Sequence, residues 1–281
     1  MRFGAHVSAA GSVALAPGRA AELELETFQF FSRPPQGGRV KPISKEQADE
    51  FKAAMAEHSF DTCYIHAPYI INLASKEARI RGNSIEILKT ELERANALGV
   101  KAVMFHPGSA SSVGSEEKGE ELVIEGIREI MKGYRGEALL LVEVSAGAGM
   151  VVGAKFDQVG RILDKAKHPK LACCLDTAHI FASGYDLRTD NAVKETMNEF
   201  DRHIGFDRLI LSHLNDSKVA LGERKDRHEH IGEGHIGLKG FEALFSHPVI
   251  KKLDLVLETE HDRISEDIKA IKKLREKVTG Q

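Results

Sequence analysis

Short apolar runs alternate with longer polar stretches along the whole chain. Turn residues bound these runs, and several of them, such as 139–142, are apolar at every position. Continuously apolar strands are expected where a parallel sheet is covered on both of its faces. The runs of strand length span 2–7, 26–31, 61–66, 100–106, 138–144, 171–176, 208–214 and 253–258. They predict eight parallel β-strands.

The stretches between the predicted strands repeat their apolar residues at the spacing of an α-helix. The clearest of them span 44–58, 76–98, 116–132, 156–167 and 192–204, and another follows the last strand at 263–277. Strand and helix therefore alternate through 281 residues, close to the length of about 250 residues that is typical of a (β/α)8 barrel. We predict an α/β fold, a (β/α)8 TIM barrel that forms a single domain over residues 1–281.

The carboxyl ends of the predicted strands carry an unusual set of side chains. From the third strand to the eighth, a histidine or a carboxylate stands at or near the end of each: His66, His106, Glu143, Asp176, His213 and Glu258. Barrel enzymes keep their active sites at this end of the strands, so these side chains would share one rim. One such residue is usually satisfied locally or solvated, but buried carboxylates on several strands need compensating charge.

Three further residues extend this set of potential ligands. His179 lies three positions after Asp176, and Asp226 and His228 lie in the long loop after the seventh strand. Imidazoles and carboxylates without a thiolate suit Zn²⁺ or Mn²⁺ in catalytic sites. Because a catalytic zinc ion takes roughly three to four protein ligands, and a carboxylate can bridge two ions, the nine residues would fill two or three metal sites.

Composition and charge narrow the class of protein. With 42% hydrophobic and 29% charged residues, the chain is neither disordered nor fibrous. Its cysteines, Cys63, Cys173 and Cys174, cannot form a disulfide framework, and its apolar runs are far shorter than the roughly 20 residues of a membrane span. We expect a cytoplasmic protein without membrane association. The formal net charge of −3 does not indicate a nucleic-acid binder, although three bound divalent cations would reverse its sign.

A series of short motifs occurs in one order from residue 4 to about residue 260. They read GAHVSAAG at 4–11, HPGS at 106–109, LDTAH at 175–179, ASGYDLR at 182–188, HLNDSK at 213–218, DRH at 226–228, GEGHIG at 232–237 and LET at 257–259. Together they closely resemble the endonuclease IV family of apurinic/apyrimidinic endonucleases, within the xylose isomerase-like TIM barrel superfamily. The ordered set is far more specific than any single motif.

This resemblance implies three zinc ions per chain, with Mn²⁺ able to replace Zn²⁺. The first ion would take His66, His106 and Glu143, the second Glu143, Asp176, His213 and Glu258, and the third His179, Asp226 and His228. The implied reaction is hydrolysis of the phosphodiester 5′ to abasic sites in double-stranded DNA, leaving a 3′-hydroxyl and a 5′-deoxyribose phosphate. Removal of 3′-blocking groups would accompany it.

Two of these ligands are also predicted to act in catalysis, namely Glu143 and Glu258. Glu143, as the bridging carboxylate, would orient the attacking water. The second nitrogens of the ligand imidazoles need acceptors, for which Asp216, Glu233 and Glu260 are candidates.

The resemblance also suggests DNA contacts on the loops after the strands. Tyr69 and Ile70 match the positions of family residues that enter the base stack, although both could instead pack against the rim. Expected contacts to the phosphate backbone include Arg33, Arg39 and Arg227.

Two departures from the family pattern affect this picture. Gln36 stands where the family usually has an arginine that enters the DNA stack. The loop after the fifth strand reads EVSAGAG at 143–149, where the family commonly reads ENTAGQG, so the hydrogen bonds around Glu143 must differ. We expect a monomer that acts on double-stranded DNA containing abasic sites. If the protein is prokaryotic, we expect it to associate with the nucleoid during repair.

Two other functions remain as alternatives. A sugar isomerase or epimerase on the same kind of barrel would need only Glu143, Asp176, His213 and Glu258 around one or two ions. That activity would leave the remaining five potential ligands without a role. A protein that binds DNA lesions without cutting them would have no need for an intact ligand set.

Overall fold

The predicted barrel is confirmed in the computed structural model, which describes residues 1–38 and 40–280. In the described part the strands are β1 Arg2–His6, β2 Thr27–Phe30, β3 Cys63–His66, β4 Ala102–Phe105, β5 Leu139–Glu143, β6 Leu171–Asp176, β7 Leu209–His213, β8 Asp216–Ser217, β9 His228–Glu229 and β10 Asp254–Leu257. Eight of them, β1 to β7 and β10, form a closed barrel in which every neighbouring pair is parallel. β10 pairs with both β7 and β1 and so closes the barrel. β8 and β9 form a small antiparallel ladder within the loop after β7.

Helices cover the outside of the barrel. In the described residues they are α1 Ala16–Glu22, α2 Lys45–Glu57, α3 Ala78–Leu98, α4 Glu116–Met131, α5 Phe156–Ala166, α6 Thr177–Ala182, α7 Asp190–His203, α8 Gly237–Ser246 and α9 Ile264–Thr279. Each of the six predicted helices is present within two residues of its predicted ends. Ser44 and Gln47 start α2 with reciprocal hydrogen bonds, and Gly99 ends α3 with a φ of 77°. No helix of residues 1–38 and 40–280 is long and apolar enough to cross a bilayer.

The core has an inner and an outer layer because successive strand residues face opposite sides. Tyr64, Met104 and Leu141 fill the inside of the barrel, whereas Cys63, Val103 and Leu140 pack outward against the helices. The free cysteines are all buried. The filled interior leaves the two ends of the barrel as places for polar chemistry.

A buried polar network closes the amino end of the barrel. Asp254, the first residue of β10, accepts hydrogen bonds from Nε and Nη2 of Arg2, each at 2.8 Å. The Tyr64 hydroxyl donates to the same carboxylate at 2.6 Å, and the Thr62 hydroxyl donates at 3.2 Å. Burial raises the pKa of the Asp254 carboxyl, but these partners outweigh it and hold the pKa below its ordinary value.

Candidate metal centre

The carboxyl end of the barrel gathers all nine predicted ligands into one cluster around Glu143. This carboxylate ends β5 and is fully buried. Its Oε2 lies 3.4 Å from Nε2 of His66, at the end of β3, and 3.4 Å from Nε2 of His106, just after β4. Its Oε1 lies 2.9 Å from Nδ1 of His213, at the end of β7. The carboxyl ends of the parallel strands lie around one rim of the barrel, and this brings together residues that are far apart in the sequence.

Three groups of potential ligands can be distinguished, and within each group the ligand atoms lie within 4.8 Å of one another. The groups are His66, His106 and Glu143; Glu143, Asp176, His213 and Glu258; and Asp176, His179 and His228. The first two groups coincide with the sets that the family resemblance implies. The third group contains His179 and His228, as predicted, but with Asp176 in place of Asp226.

Asp226 nevertheless lies beside the third group. Its Oδ1 is 3.2 Å from Nε2 of His179 and 3.3 Å from Nε2 of His228. Asp226 is the more exposed of the two aspartates, with 49% of its side chain accessible, whereas Asp176 is fully buried. Asp176 is thus placed between the second and third groups, a position that the sequence did not predict.

The segment Asp176 to His179 has a local reason for its shape. Asp176 ends β6 and is also the N-cap of α6, because its Oδ1 accepts a hydrogen bond from the His179 backbone N–H at 2.9 Å. The cap turns the chain sharply, so that residues three positions apart both face the cluster. Asp176 Oδ2 remains directed at the ligand groups, 3.7 Å from Nε2 of His228.

A buried oxygen without a partner tests whether metal ions fit these residues. Glu143 Oε2 has no hydrogen-bond partner among the described residues, although it is buried. The Nε2 atoms of His66 and His106 each lie 3.4 Å from it. Leaving a buried carboxylate oxygen unsatisfied is costly, and a divalent cation between that oxygen and the two imidazoles would satisfy it. The oxygen and nitrogen donors fit Zn²⁺ or Mn²⁺.

Hydrogen bonds to the second ring nitrogens orient the imidazoles. Nδ1 of His66 lies 2.6 Å from the carbonyl oxygen of Ala67, and Nδ1 of His179 lies 3.0 Å from that of Val144. In both rings Nδ1 donates, which leaves the lone pair on Nε2 for the cluster. His213 has the opposite arrangement, since its Nδ1 faces the cluster.

The charges of the cluster compensate one another. Burial raises the pKa of both the Glu143 and the Glu258 carboxyl, but the surrounding histidines outweigh it. They hold the pKa of Glu143 well below its ordinary value and lower that of Glu258 to about 2. Burial lowers the pKa of the His228 imidazole, but Asp176 and Asp226 outweigh it and raise the pKa to about 9. The histidines thus favour the charged forms of the two glutamates, and the two aspartates favour the charged form of His228.

A cavity of about 370 Å³ leads to the cluster. Its wall includes Tyr69, Lys218, Arg227 and Glu260 together with several of the ligands. Tyr69 is 67% exposed while its ring edge packs against Phe31, with the ring centroids 5.3 Å apart. Tyr69 therefore packs against the rim, which was one of the two roles that the sequence left open for it. Most of its side chain still faces outward.

The structure corrects the prediction for Arg33, which is not an exposed DNA contact. Its side chain is 4% exposed, and its Nε donates to Glu91 Oε1 at 2.5 Å. Arg94 donates to the Ser32 hydroxyl at 2.8 Å and to the Lys41 carbonyl at 2.7 Å. The two arginines therefore anchor the loop after β2 to α3. Arg39, the other contact predicted in this loop, lies outside the described residues.

Two of the predicted outer partners have different roles. Asp216 accepts hydrogen bonds from backbone N–H groups of the segment 232–237, and so holds that loop in place. Glu233 forms an ion pair with Arg263 at 2.5 Å. Neither carboxylate contacts a ligand imidazole, because both are engaged by nearer donors. Glu260 lines the cavity.

Sequence reasoning missed two residues that contact the ligands. Asn215 Nδ2 donates to Asp176 Oδ2 at 2.6 Å, and Asn215 Oδ1 accepts from the Glu258 backbone N–H at 2.8 Å. Gln29 contacts both His213 and Glu258. A signal was present for both residues, since Gln29 is a polar residue within an apolar strand and Asn215 follows His213 by two positions.

Comparison with known proteins agrees with the geometry of the cluster. Residues 17–277 match a family model described as xylose isomerase-like TIM barrel. The chain is 39% identical to a protein named probable endonuclease 4 from Nitrosopumilus maritimus, over 98% of this chain and 99% of that one. It resembles a crystal structure of endonuclease IV from Thermus thermophilus with a TM-score of 0.86 and 33% identity, over 99% of this chain and 100% of that chain.

The same fold also occurs in a protein with a different description. A crystal structure of a D-tagatose 3-epimerase-like protein matches with a TM-score of 0.78 and 19% identity, over 100% of this chain and 99% of that chain. At that identity the likeness concerns the fold alone. The full-length similarity to endonuclease 4 proteins decides the family: the chain belongs to the endonuclease IV family of the xylose isomerase-like TIM barrels.

Proposed function

We propose that this nuclease is a DNA repair enzyme that hydrolyses the phosphodiester 5′ to abasic sites in double-stranded DNA. The products would be a 3′-hydroxyl and a 5′-deoxyribose phosphate, and the same bond chemistry would remove 3′-blocking groups. The observation that carries the proposal is the cluster of nine potential ligand side chains at the carboxyl end of the barrel, in which Glu143 Oε2 is buried and unsatisfied among the described residues. Membership of the endonuclease IV family supports abasic DNA as the substrate.

Three zinc ions are the proposed cofactor, with Mn²⁺ as a possible substitute. His66, His106 and Glu143 would hold the first, and the group that includes His213 and Glu258 would hold the second. His179 and His228, with Asp226 and Asp176 beside them, would hold the third. When bound, divalent ions lower the pKa of water so that it can attack at neutral pH, and they neutralise charge on the phosphate and the leaving oxygen.

The two glutamates would act on the water and on the substrate from different depths. Glu143 is fully buried at the floor of the site, whereas Glu258 is 12% exposed and lines the cavity. Both carboxyls are ionised at neutral pH because their pKa values are lowered. Glu143 can therefore orient the attacking water and accept its proton, and Glu258 can do so from the cavity side.

The loops around the cavity would hold the DNA. Tyr69 and Ile70 are exposed neighbours on the loop after β3, and we assign them the role of entering the base stack beside the lesion. The exposed Arg227 at the cavity would contact the phosphate backbone. Such a wedge would let an extrahelical abasic sugar reach the recessed site. The chain is proposed to work as a monomer in the cytoplasm.

The alternative of a sugar epimerase has less support. The group of Glu143, Asp176, His213 and Glu258 alone would suffice for it, and a D-tagatose 3-epimerase-like protein shares the fold. The histidines at 66, 106, 179 and 228 would then have no role, although each of them lies within a group of potential ligands.

The deciding experiment is incision of a duplex that carries one tetrahydrofuran abasic analogue, beside an undamaged duplex. Metal content is measured on the same preparation. We expect a single cut 5′ to the analogue, a 3′-hydroxyl end and about three metal ions per chain. Absence of a cut by a metal-loaded preparation would reject the endonuclease function and lead to assays for epimerisation of ketoses.

A further inference from the structure

Gln29 contacts two ligand side chains, His213 and Glu258, and a histidine outside the ligand set, His6. It is the third residue of β2, fully buried at the carboxyl end of the barrel. Its Oε1 accepts a hydrogen bond from Nε2 of His213 at 2.8 Å. Its Nε2 donates to Glu258 Oε1 at 2.7 Å and to Nδ1 of His6 at 3.0 Å. The oxygen and the nitrogen of its side-chain amide thus both have hydrogen-bond partners within the site.

These three contacts determine which way the amide faces. A primary amide has one acceptor oxygen and one donor nitrogen. Turning it around would set the oxygen against the carboxylate of Glu258 and the NH2 group against Nε2 of His213. In the observed orientation the amide accepts from His213, so the ring hydrogen of His213 lies on Nε2. Nδ1, which lies 2.9 Å from Glu143 Oε1 and 3.2 Å from Glu258 Oε2, is then the nitrogen whose lone pair would bind an ion.

His213 differs from two other ligand histidines in what orients its ring. His66 and His179 are held by the main-chain carbonyls of Ala67 and Val144. Those acceptors belong to the backbone, so substitution of a side chain does not remove them. The orientation of His213 depends on the Gln29 side chain, and a single substitution can therefore release it.

We propose that Gln29 is a positioning residue, which fixes the tautomer of His213 and holds Glu258 beside it so that both present their ligand atoms to one ion. The catalytic importance of Gln29 rests on the proposed function. Its effect on metal binding does not need DNA and can be measured separately.

Two substitutions separate the acceptor from the rest of the side chain. Gln29→Met keeps the length and removes every hydrogen bond, whereas Gln29→Glu keeps an acceptor for His213. The matched control is Gln158→Met, because Gln158 is also buried and its Oε1 accepts from the Gly153 backbone N–H at 2.6 Å rather than from a ligand side chain. The metal-free proteins are titrated with Co²⁺ alone, and binding is followed by visible absorption.

We expect Gln29→Met to bind one of its ions about 10- to 100-fold more weakly than the unmodified protein. Gln29→Glu should recover part of that affinity. Gln158→Met should stay within about twofold of the unmodified protein, since the hydrogen bond that it loses does not involve a ligand side chain. Unchanged Co²⁺ affinity in Gln29→Met would overturn the proposal.

A spectroscopic measurement on the unmodified protein decides the matter even if Gln29→Met fails to fold. Long-range ¹H–¹⁵N NMR of the metal-free protein, at a pH where the His213 ring is neutral, reports which nitrogen of His213 carries the hydrogen. Hydrogen on Nε2 supports the proposal, and hydrogen on Nδ1 overturns it. Neither this spectrum nor the Co²⁺ titration involves DNA. A negative incision assay would therefore reject the endonuclease function without deciding the role of Gln29.

Discussion

Two buried polar clusters lie at opposite ends of the same barrel, and they differ in how far their groups are satisfied. At the amino end, both oxygens of Asp254 accept hydrogen bonds, from Arg2, Tyr64 and Thr62. At the carboxyl end, Glu143 Oε2 is buried without a hydrogen-bond partner among the described residues. A satisfied network stabilises the fold, whereas an unsatisfied oxygen among imidazoles marks a place for a ligand.

The largest effect is expected from Glu143→Gln. This substitution removes the charge that the first two ligand groups share, and with it the proposed base. We expect incision of abasic duplex DNA to fall by about 1,000-fold or more, while the far-ultraviolet circular dichroism stays that of a folded barrel. The same loss of charge at the other end, in Asp254→Asn, should leave incision nearly unchanged at a temperature where the variant is folded. Strong incision by Glu143→Gln would remove the distinction between the two ends.

Metal removal should act on stability as well as on activity. Ions that bind only the folded chain stabilise it by about 2.7 kcal/mol for each site at a free concentration 100 times the dissociation constant. Chelation should therefore lower the midpoint of thermal unfolding, measured by calorimetry, and Zn²⁺ should restore it. The shift should be smaller in Glu143→Gln and of full size in Asp254→Asn. Equal shifts in both variants would show that Glu143 does not hold a metal ion.

A smaller effect is expected from Asn215→Ala. The variant loses the hydrogen bonds to Asp176 and to the backbone of Glu258, but keeps every ligand. Outer partners of ligands typically contribute about 10- to 100-fold in metal affinity, so Co²⁺ should bind more weakly by that factor. Asn191→Ala is the control, because Asn191 bonds only to the exposed Glu195 among the described residues. If both variants bound Co²⁺ alike, Asn215 would have no role in the metal centre.

Asn215 also illustrates what the sequence could predict and what it could not. The barrel follows from the apolar runs, and the ligands follow from their place at strand ends, which a closed barrel must bring together. The partners of those ligands depend on which side chains from distant strands come within about 3 Å of each other. No spacing in the sequence reports that Gln29 meets His213 and Glu258.

The sequence also does not predict whether a charged side chain in a loop is exposed or buried. Arg33 lies in a loop after a strand, where an exposed arginine is expected, but Glu91 on α3 draws it into the interior. A pairing between residues 58 positions apart leaves no local pattern in the sequence.

The position of Asp176 is a third feature that the sequence did not predict, since its place between two ligand groups depends on the cap of α6.

The smallest effect concerns the amino end and its dependence on pH. The pKa of Asp254 is lowered in the folded chain, so this carboxylate contributes stability above the pKa of an unfolded aspartate, about 3.9. That contribution is lost as the pH falls through the lower pKa of the folded chain. Asp254→Asn keeps one acceptor oxygen, so it should lower the free energy of unfolding by about 1 kcal/mol at pH 7.

Urea denaturation of the unmodified protein and of Asp254→Asn at a series of pH values checks this expectation. The difference between the two proteins should be constant from pH 7 to about 5 and should shrink below about pH 4. Growth of the difference on acidification would mean that the carboxyl is bound more strongly when protonated. The charged Asp254 carboxylate would then be destabilised by its surroundings. The two ends of the barrel would no longer differ as a satisfied site and an unsatisfied one.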